Sequence, residues 1–150
     1  EDDVSSVQVL ECKKNLSQVV SSFRLSKSLV LLEGATHVAT RCIVEEQEEL
    51  VAKGASQTMK SKHINGLAVD LMAYVGGRAS WELSLYDDIA DAMKEAAKLE
   101  NVGIRWGAAW HLNDMRIWGG TMEEAMNAYI DIRRGQGRRP FIDGPHFELS

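Results

Sequence analysis

Apolar and polar positions alternate along residues 67–72, LAVDLM: Leu67, Val69 and Leu71 share one side, and Ala68, Asp70 and Met72 the other. A period of two predicts a strand. The glycine pair in YVGGRAS, residues 74–80, ends it and reads as a turn or short hairpin loop. A helical period follows over residues 85–99, LYDDIADAMKEAAKL, with Ser84 as the expected N-cap. NVGIRW returns to strand. Thr121 and Glu124 form a capping-box pattern that opens a helix from Met122 to about Arg133. FIDGPHFEL then gives a turn at residues 143–145 and a short strand, with His146 and Glu148 on one face and Phe147 and Leu149 toward the core.

The N-terminal third is less regular. VQVL, residues 7–10, reads as a strand or the start of a helix inside a polar, Ser-rich stretch. Residues 26–39 have helix-like spacing. Residues 43–53, IVEEQEELVAK, make a clearer helix, with Ile43, Gln47, Leu50 and Val51 near one face and Gly54 as its stop. A polar loop, GASQTMKSK, leads into His63. Helices and strands interleave, which predicts an α+β fold: a small antiparallel sheet flanked by helices. A chain of 150 residues is one domain, residues 1–150, long enough to bury a real core.

Composition narrows the function classes. Hydrophobic residues are 45% and charged residues 26%, ordinary for a globular protein. A net charge of −5 argues against a nucleic-acid binder, which would carry a basic footprint. No apolar run approaches the roughly 20 residues of a membrane helix, so membrane insertion is not expected. The sequence begins at Glu1 with no visible signal peptide, and a processed or trimmed start stays open. Cys12 and Cys42 make no disulfide framework; they read as free thiols, with a single bridge between them left open.

The chemistry concentrates in two short stretches. HINGLAVD, residues 63–70, and DGPHFE, residues 143–148, each hold one histidine and one aspartate. An aspartate in the middle of an apolar strand is costly unless it is paired or binds a metal. If the two strands are neighbours, His63, Asp70 and His146 converge on one ion. Two imidazoles and a carboxylate leave a fourth tetrahedral position for water, the pattern of a catalytic zinc. Asp143 would then hold and deprotonate that water. Spacing alone also allows the plainer reading, in which Asp70 caps a turn and His146 packs on an aromatic ring. His37 and His111 are available too, so histidine count does not choose the ligands.

SKHINGLAVDL resembles the SxHxxGxAxD motif of the LAS-type zinc peptidases, which include VanY-like D-Ala-D-Ala carboxypeptidases and phage L-alanyl-D-glutamate endopeptidases. DGPHFEL resembles the closing motif of the same group. The likeness covers about residues 45–110 and 141–149. It implies a LAS/hedgehog-like metallopeptidase fold with the site on the sheet, zinc ligands His63, Asp70 and His146, and Asp143 as the base. Aspartate at the base position resembles the phage endolysin branch. The family's carbonyl-binding arginine, counted back from Gln47, falls on Cys42. Arg41 lies one residue early and is the expected cation, with Lys14 as the alternative. Residues 108–139 exceed the simplest members and look like an inserted helix with a basic end, either a lid over the core or a substrate contact. Arg133, Arg134, Arg138 and Arg139 read as a solvated helix end or as an attraction to anionic cell wall. Trp81, Trp106, Trp110 and Trp118 read mostly as core, with Trp106 and Trp110 flanking the cleft.

The resemblance implies a monomeric, bacteriolytic phage hydrolase that uses zinc to cut the L-alanyl-D-glutamate bond of the peptidoglycan stem peptide. Such an enzyme would be made in the host bacterial cytoplasm and act on the cell wall in the periplasm after release. Two other readings remain: a D-Ala-D-Ala carboxypeptidase, and a non-hydrolytic zinc-site binding domain of the hedgehog type.

Overall fold

The structure is a computed structural model and describes residues 14–29, 37–41 and 67–150. VQVL, the expected helix at 43–53, the polar loop after it, His63, Cys12 and Cys42 lie outside the described residues. Helix α1 runs Lys14–Leu29 and strand β1 His37–Arg41. Of the helical reading of residues 26–39, residues 26–29 are helix, residues 30–36 lie outside the described residues, and the reading is corrected at 37–39. The apolar stripe that drives the helix is Leu16, Val19, Val20 and Phe23, all buried, at the spacing of one helix face. Residues 37–39 instead pair with a strand.

That partner is β2, Ala68–Val75, which the alternation predicted. It turns through Gly76 and Gly77, both at positive φ (58° and 81°), into β3, Arg78–Ser80. A hairpin this tight needs left-handed backbone at both turn residues, which glycine adopts without strain. Helix α2 spans Leu83–Glu100. It begins before Ser84, so Ser84 is not its cap; Glu82 occupies that position in extended backbone, with no side-chain cap bond. At its other end Asn101 takes a left-handed conformation (φ 55°) and closes the last turn, a position that suits asparagine. Strand β4 is Ile104–Trp106 and helix α3 is Met122–Gly135, opened by the expected capping box of Thr121 and Glu124. Strand β5, His146–Leu149, ends the chain.

The described strands form one antiparallel sheet in the order β1-β2-β5-β4, with β3 also on β2. Val69, Leu71 and Ala73 of β2 are fully buried against Leu85, Ile89, Ala90 and Met93 of α2, and α1 packs on α2 as well. Residues 108–139 supply core: Ala108, Ala109, Leu112, Met115, Met122, Ala125 and Met126 all join the same cluster. Asp91 of α2 accepts the Met122 amide, and Lys94 donates to the Gly120 carbonyl, so the start of α3 is fixed to α2. Trp81 is 69% exposed on the link between β3 and α2, against the expectation of core. Among the described residues no helix is long and apolar enough to cross a membrane.

Candidate active site

The register of three strands assembles the site. Asp70 lies directly opposite His146 of β5 on one side and opposite Arg41 of β1 on the other. Opposed residues of an antiparallel pair project on the same face, so two polar side chains at matched positions must meet. They do: His146 Nδ1 is 3.6 Å from Asp70 Oδ1. Arg41 holds the register position across from Asp70 at the end of β1. Lys14, the alternative cation, stands at the first residue of α1, a helix that packs on α2.

The turn that carries Asp143 is pinned on several sides. The Asp143 amide donates to the Gly107 carbonyl (2.8 Å), and the Gly107 amide donates to the His146 carbonyl (2.8 Å). The His146 amide donates to the Asp143 carbonyl (3.1 Å), and Leu71 donates to Pro145 (2.9 Å). The indole of Trp106 donates to the Gly144 carbonyl (2.8 Å). Approach here is close enough to require glycine: a Cβ on residue 107 would sit 2.2 Å from the Asp143 carbonyl oxygen. These bonds fix Asp143 and His146 as neighbours on a rigid turn.

His146 is held from both ring nitrogens. Its Nε2 meets Glu148 Oε1 at 2.8 Å, two residues along the same strand face, as the sequence pattern placed them. Glu148 is only 6% exposed, and Arg105 Nη1 approaches it at 3.9 Å from the neighbouring strand. Arg105 also donates to the carbonyls of Trp110 (2.7 Å) and Leu112 (3.3 Å). Burial alone would lower the His146 pKa. Hydrogen bonds to Asp70 and Glu148, with the charges of Asp70 and Asp143, outweigh burial and raise it to about 9. The same carboxylates reach Tyr86, whose pKa rises, first through burial and then through Tyr74, Asp143 and Asp70.

The structure thus brings together Asp70, His146 and Asp143, with Arg41 in register. Among the described residues no three His, Cys, Asp or Glu side chains are grouped to hold a metal ion, and His63 lies outside them. Of the other histidines, His37 begins β1 opposite Tyr74, four positions from the Asp70 row. His111 is wedged between Trp118 and Tyr129. Trp106 is buried and stacks on Phe147, so it supports the site without lining the cleft. Trp110 stands beside the site, its ring 5.5 Å from that of His146. Sequence reasoning missed Glu148 and Arg105. The signal available was the HxE spacing after the turn, which puts a carboxylate beside the histidine.

Comparison with known proteins gives a consistent picture. The profile of the family described as phage L-alanyl-D-glutamate peptidase matches residues 4–150. The L-alanyl-D-glutamate peptidase of Escherichia phage T5 is 28% identical over 110 residues, 71% of this chain and 68% of that protein. The L-alanyl-D-glutamate peptidase of Listeria phage A118 is 36% identical over 66 residues, 44% of this chain and 22% of that protein. Among solved structures, the Serratia marcescens L-Ala D-Glu endopeptidase ChiX shares the fold, with a TM-score of 0.59 at 24% identity, over 97% of this chain and 86% of its own.

Proposed function

The chain belongs to the phage L-alanyl-D-glutamate peptidase family, and from that membership we propose that it is a zinc-dependent endolysin cutting the L-alanyl-D-glutamate bond of peptidoglycan stem peptides. The observation that carries the reading is the pairing of Asp70 with His146 across β2 and β5, with Asp143 held three residues before His146 on its turn.

The donor set fits zinc. Two ligand atoms on a tetrahedral zinc, each at about 2.0–2.1 Å, lie about 3.4 Å apart. Asp70 Oδ1 and His146 Nδ1 are 3.6 Å apart, close to that spacing. His146 offers Nδ1 to this position while its Nε2–H is donated to Glu148, the carboxylate partner typical of a metal-binding histidine. His63, Asp70 and His146 would hold the ion. When bound, zinc supplies Lewis acidity, acidifying a water and polarising the scissile carbonyl.

The chain's own residues do the rest. Asp143 accepts the proton of the attacking water and orients it toward the peptide carbonyl. The same carboxyl passes the proton to the leaving amine of the D-glutamate residue. Arg41, opposite Asp70, is the cation for the carbonyl oxygen as it gains charge. Glu148 and Arg105 fix the ring plane of His146. Trp110, beside His146, shields one side of the cleft from water.

Mass spectrometry of purified peptidoglycan after incubation with the protein tests the proposal. The expected products carry a new amino terminus on D-glutamate and a new carboxyl on L-alanine. Unchanged wall, or release of terminal D-alanine alone, would refute it. Phage origin implies synthesis in the host cytoplasm, with access to the wall at lysis.

A further inference from the structure

Beside the site, a groove of about 520 Å³ lies between Trp110, His111 and Phe141 on one side and Tyr129, Ile132 and Arg133 of α3 on the other. Its rim is apolar and open, with Phe141 63% and Ile132 44% exposed. Its lining is mostly apolar, with the Arg133 side chain as its one cation among the described residues. Just behind that lining, Trp110 Nε1, both ring nitrogens of His111 and Arg133 Nε are covered and have no hydrogen-bond partner among the described residues. Folded proteins pair the large majority of such atoms, so four together mark an unusual polar layer beside the groove.

The chemistry of an occupant follows from the atoms. An indole N–H and a guanidinium can only donate, and the guanidinium is always positive. His111 is pushed by burial toward its neutral form, which leaves the charge of the wall to Arg133. One fixed cation on the groove lining matches a carboxylate, and the rings of Phe141, Trp110 and Tyr129 match a short aliphatic stem. Trp110 joins this groove to the site: its ring stacks on Phe141 at 6.4 Å and leans on His146 at 5.5 Å. A peptide residue spans about 3.3–3.6 Å, so the groove is one or two residues from a bond held at His146.

We propose that this groove is the subsite for the acidic residue next to the scissile bond, taking its free carboxylate on the guanidinium of Arg133 and its methylenes against Phe141. The proposal rests on the peptidase reading for the placement of the substrate. It separates Arg133 from Arg134, Arg138 and Arg139: the first selects, and the others lie on the open surface.

Calorimetric titration with a non-cleavable reduced-amide analogue of L-alanyl-D-glutamate, capped at the γ-carboxyl, tests it. One form keeps the α-carboxyl free and the other has it amidated. The unaltered protein is expected to bind the free acid about tenfold or more tightly, the scale of a hydrogen bond to a charged group. Arg133→Gln should lose that preference, Arg133→Lys should keep part of it, and Arg134→Gln should keep all of it. Equal binding of both forms, binding of neither, or a full preference surviving in Arg133→Gln would overturn the proposal. If Arg133→Gln does not fold, a full preference in Arg133→Lys is the overturning result, since the planar fork is gone. Peptidoglycan hydrolysis is measured in parallel. Selectivity without hydrolysis would sink the activity reading alone, and hydrolysis without selectivity would sink the subsite alone.

Discussion

Replacing Glu148 by glutamine keeps the side chain's shape and removes the charge that steadies His146. The carboxylate is buried, accepts from Nε2 at 2.8 Å, and has Arg105 at 3.9 Å behind it. A hydrogen bond to a charged group contributes about 1.5–3 kcal/mol, and a neutral one about 0.5–1.5 kcal/mol. Glutamine can still accept from Nε2, so the loss is the difference, about 1–1.5 kcal/mol, or roughly tenfold in zinc affinity. Alanine leaves a buried N–H with no acceptor and should cost up to about a hundredfold, the upper range for such partners of metal-binding histidines. Arg105 keeps its bonds to Trp110 and Leu112, so the strand should hold its place. Competition titration of zinc against a chromophoric chelator measures the effect, with His146→Ala as the reference for a lost ligand. If Glu148→Ala binds zinc within twofold of the unaltered protein while His146→Ala does not, Glu148 has no positioning role.

Four further outcomes are expected. Asp143→Asn should keep zinc near full occupancy and lose nearly all hydrolysis, because an amide cannot take the water's proton, whereas Asp70→Asn should lose metal affinity; zinc content and turnover in both variants decide the assignment. Arg41→Ala should lower kcat by about 10²-fold, the scale of losing one oxyanion donor, and an unchanged rate would remove it from the mechanism. Gly107→Ala should destabilise by about 3 kcal/mol or more, since its Cβ would meet backbone at 2.2 Å; a thermal melt within about 2 °C of the original would contradict this. Asp87 is buried and its Oδ1 has no hydrogen-bond partner among the described residues; burial, then Glu123, Asp88 and Asp91, raise its pKa from 3.8 to about 6. The folded state therefore binds its proton more tightly: the stabilisation is complete below about pH 4 and is lost as pH rises through about 6. Asp87→Asn should add about 1–3 kcal/mol at pH 7 and nothing below pH 4, as read by denaturation across pH.

What was legible in the sequence is what local pattern controls. Asp70 stood out because an aspartate interrupts a strict alternation, and the DGPH turn put Asp143 beside His146 whatever the rest of the chain did. The capping box at Thr121 and the Gly76–Gly77 hairpin are equally local. Errors fell where neighbours in space decide. Ser84 has the chemistry of a cap, but the Glu82 amide donates to the Ser80 hydroxyl and the helix starts a residue before Ser84. Trp81 reads as core by composition, yet none of the described residues buries the short link that carries it.

Glu148 shows the limit most clearly. On a terminal strand a glutamate reads as a solvated face, and only the pairing of β4 with β5 reveals that Arg105 lies directly opposite it. That pairing links three residues with separate readings, a strand arginine, a strand glutamate and a strand histidine, into one chain of contacts: Arg105 to Glu148, Glu148 to His146, His146 to Asp70. Arg105 continues to Trp110, whose ring lies under its guanidinium at 5.3 Å and beside His146 at 5.5 Å. The same arginine therefore orients the histidine and holds the wall between the site and the α3 groove. One residue thus contacts both the groove wall and the partner of His146. Arg105→Lys, which keeps the charge and loses the fork to the Trp110 and Leu112 carbonyls, should weaken zinc binding and blunt carboxylate selectivity in the same variant.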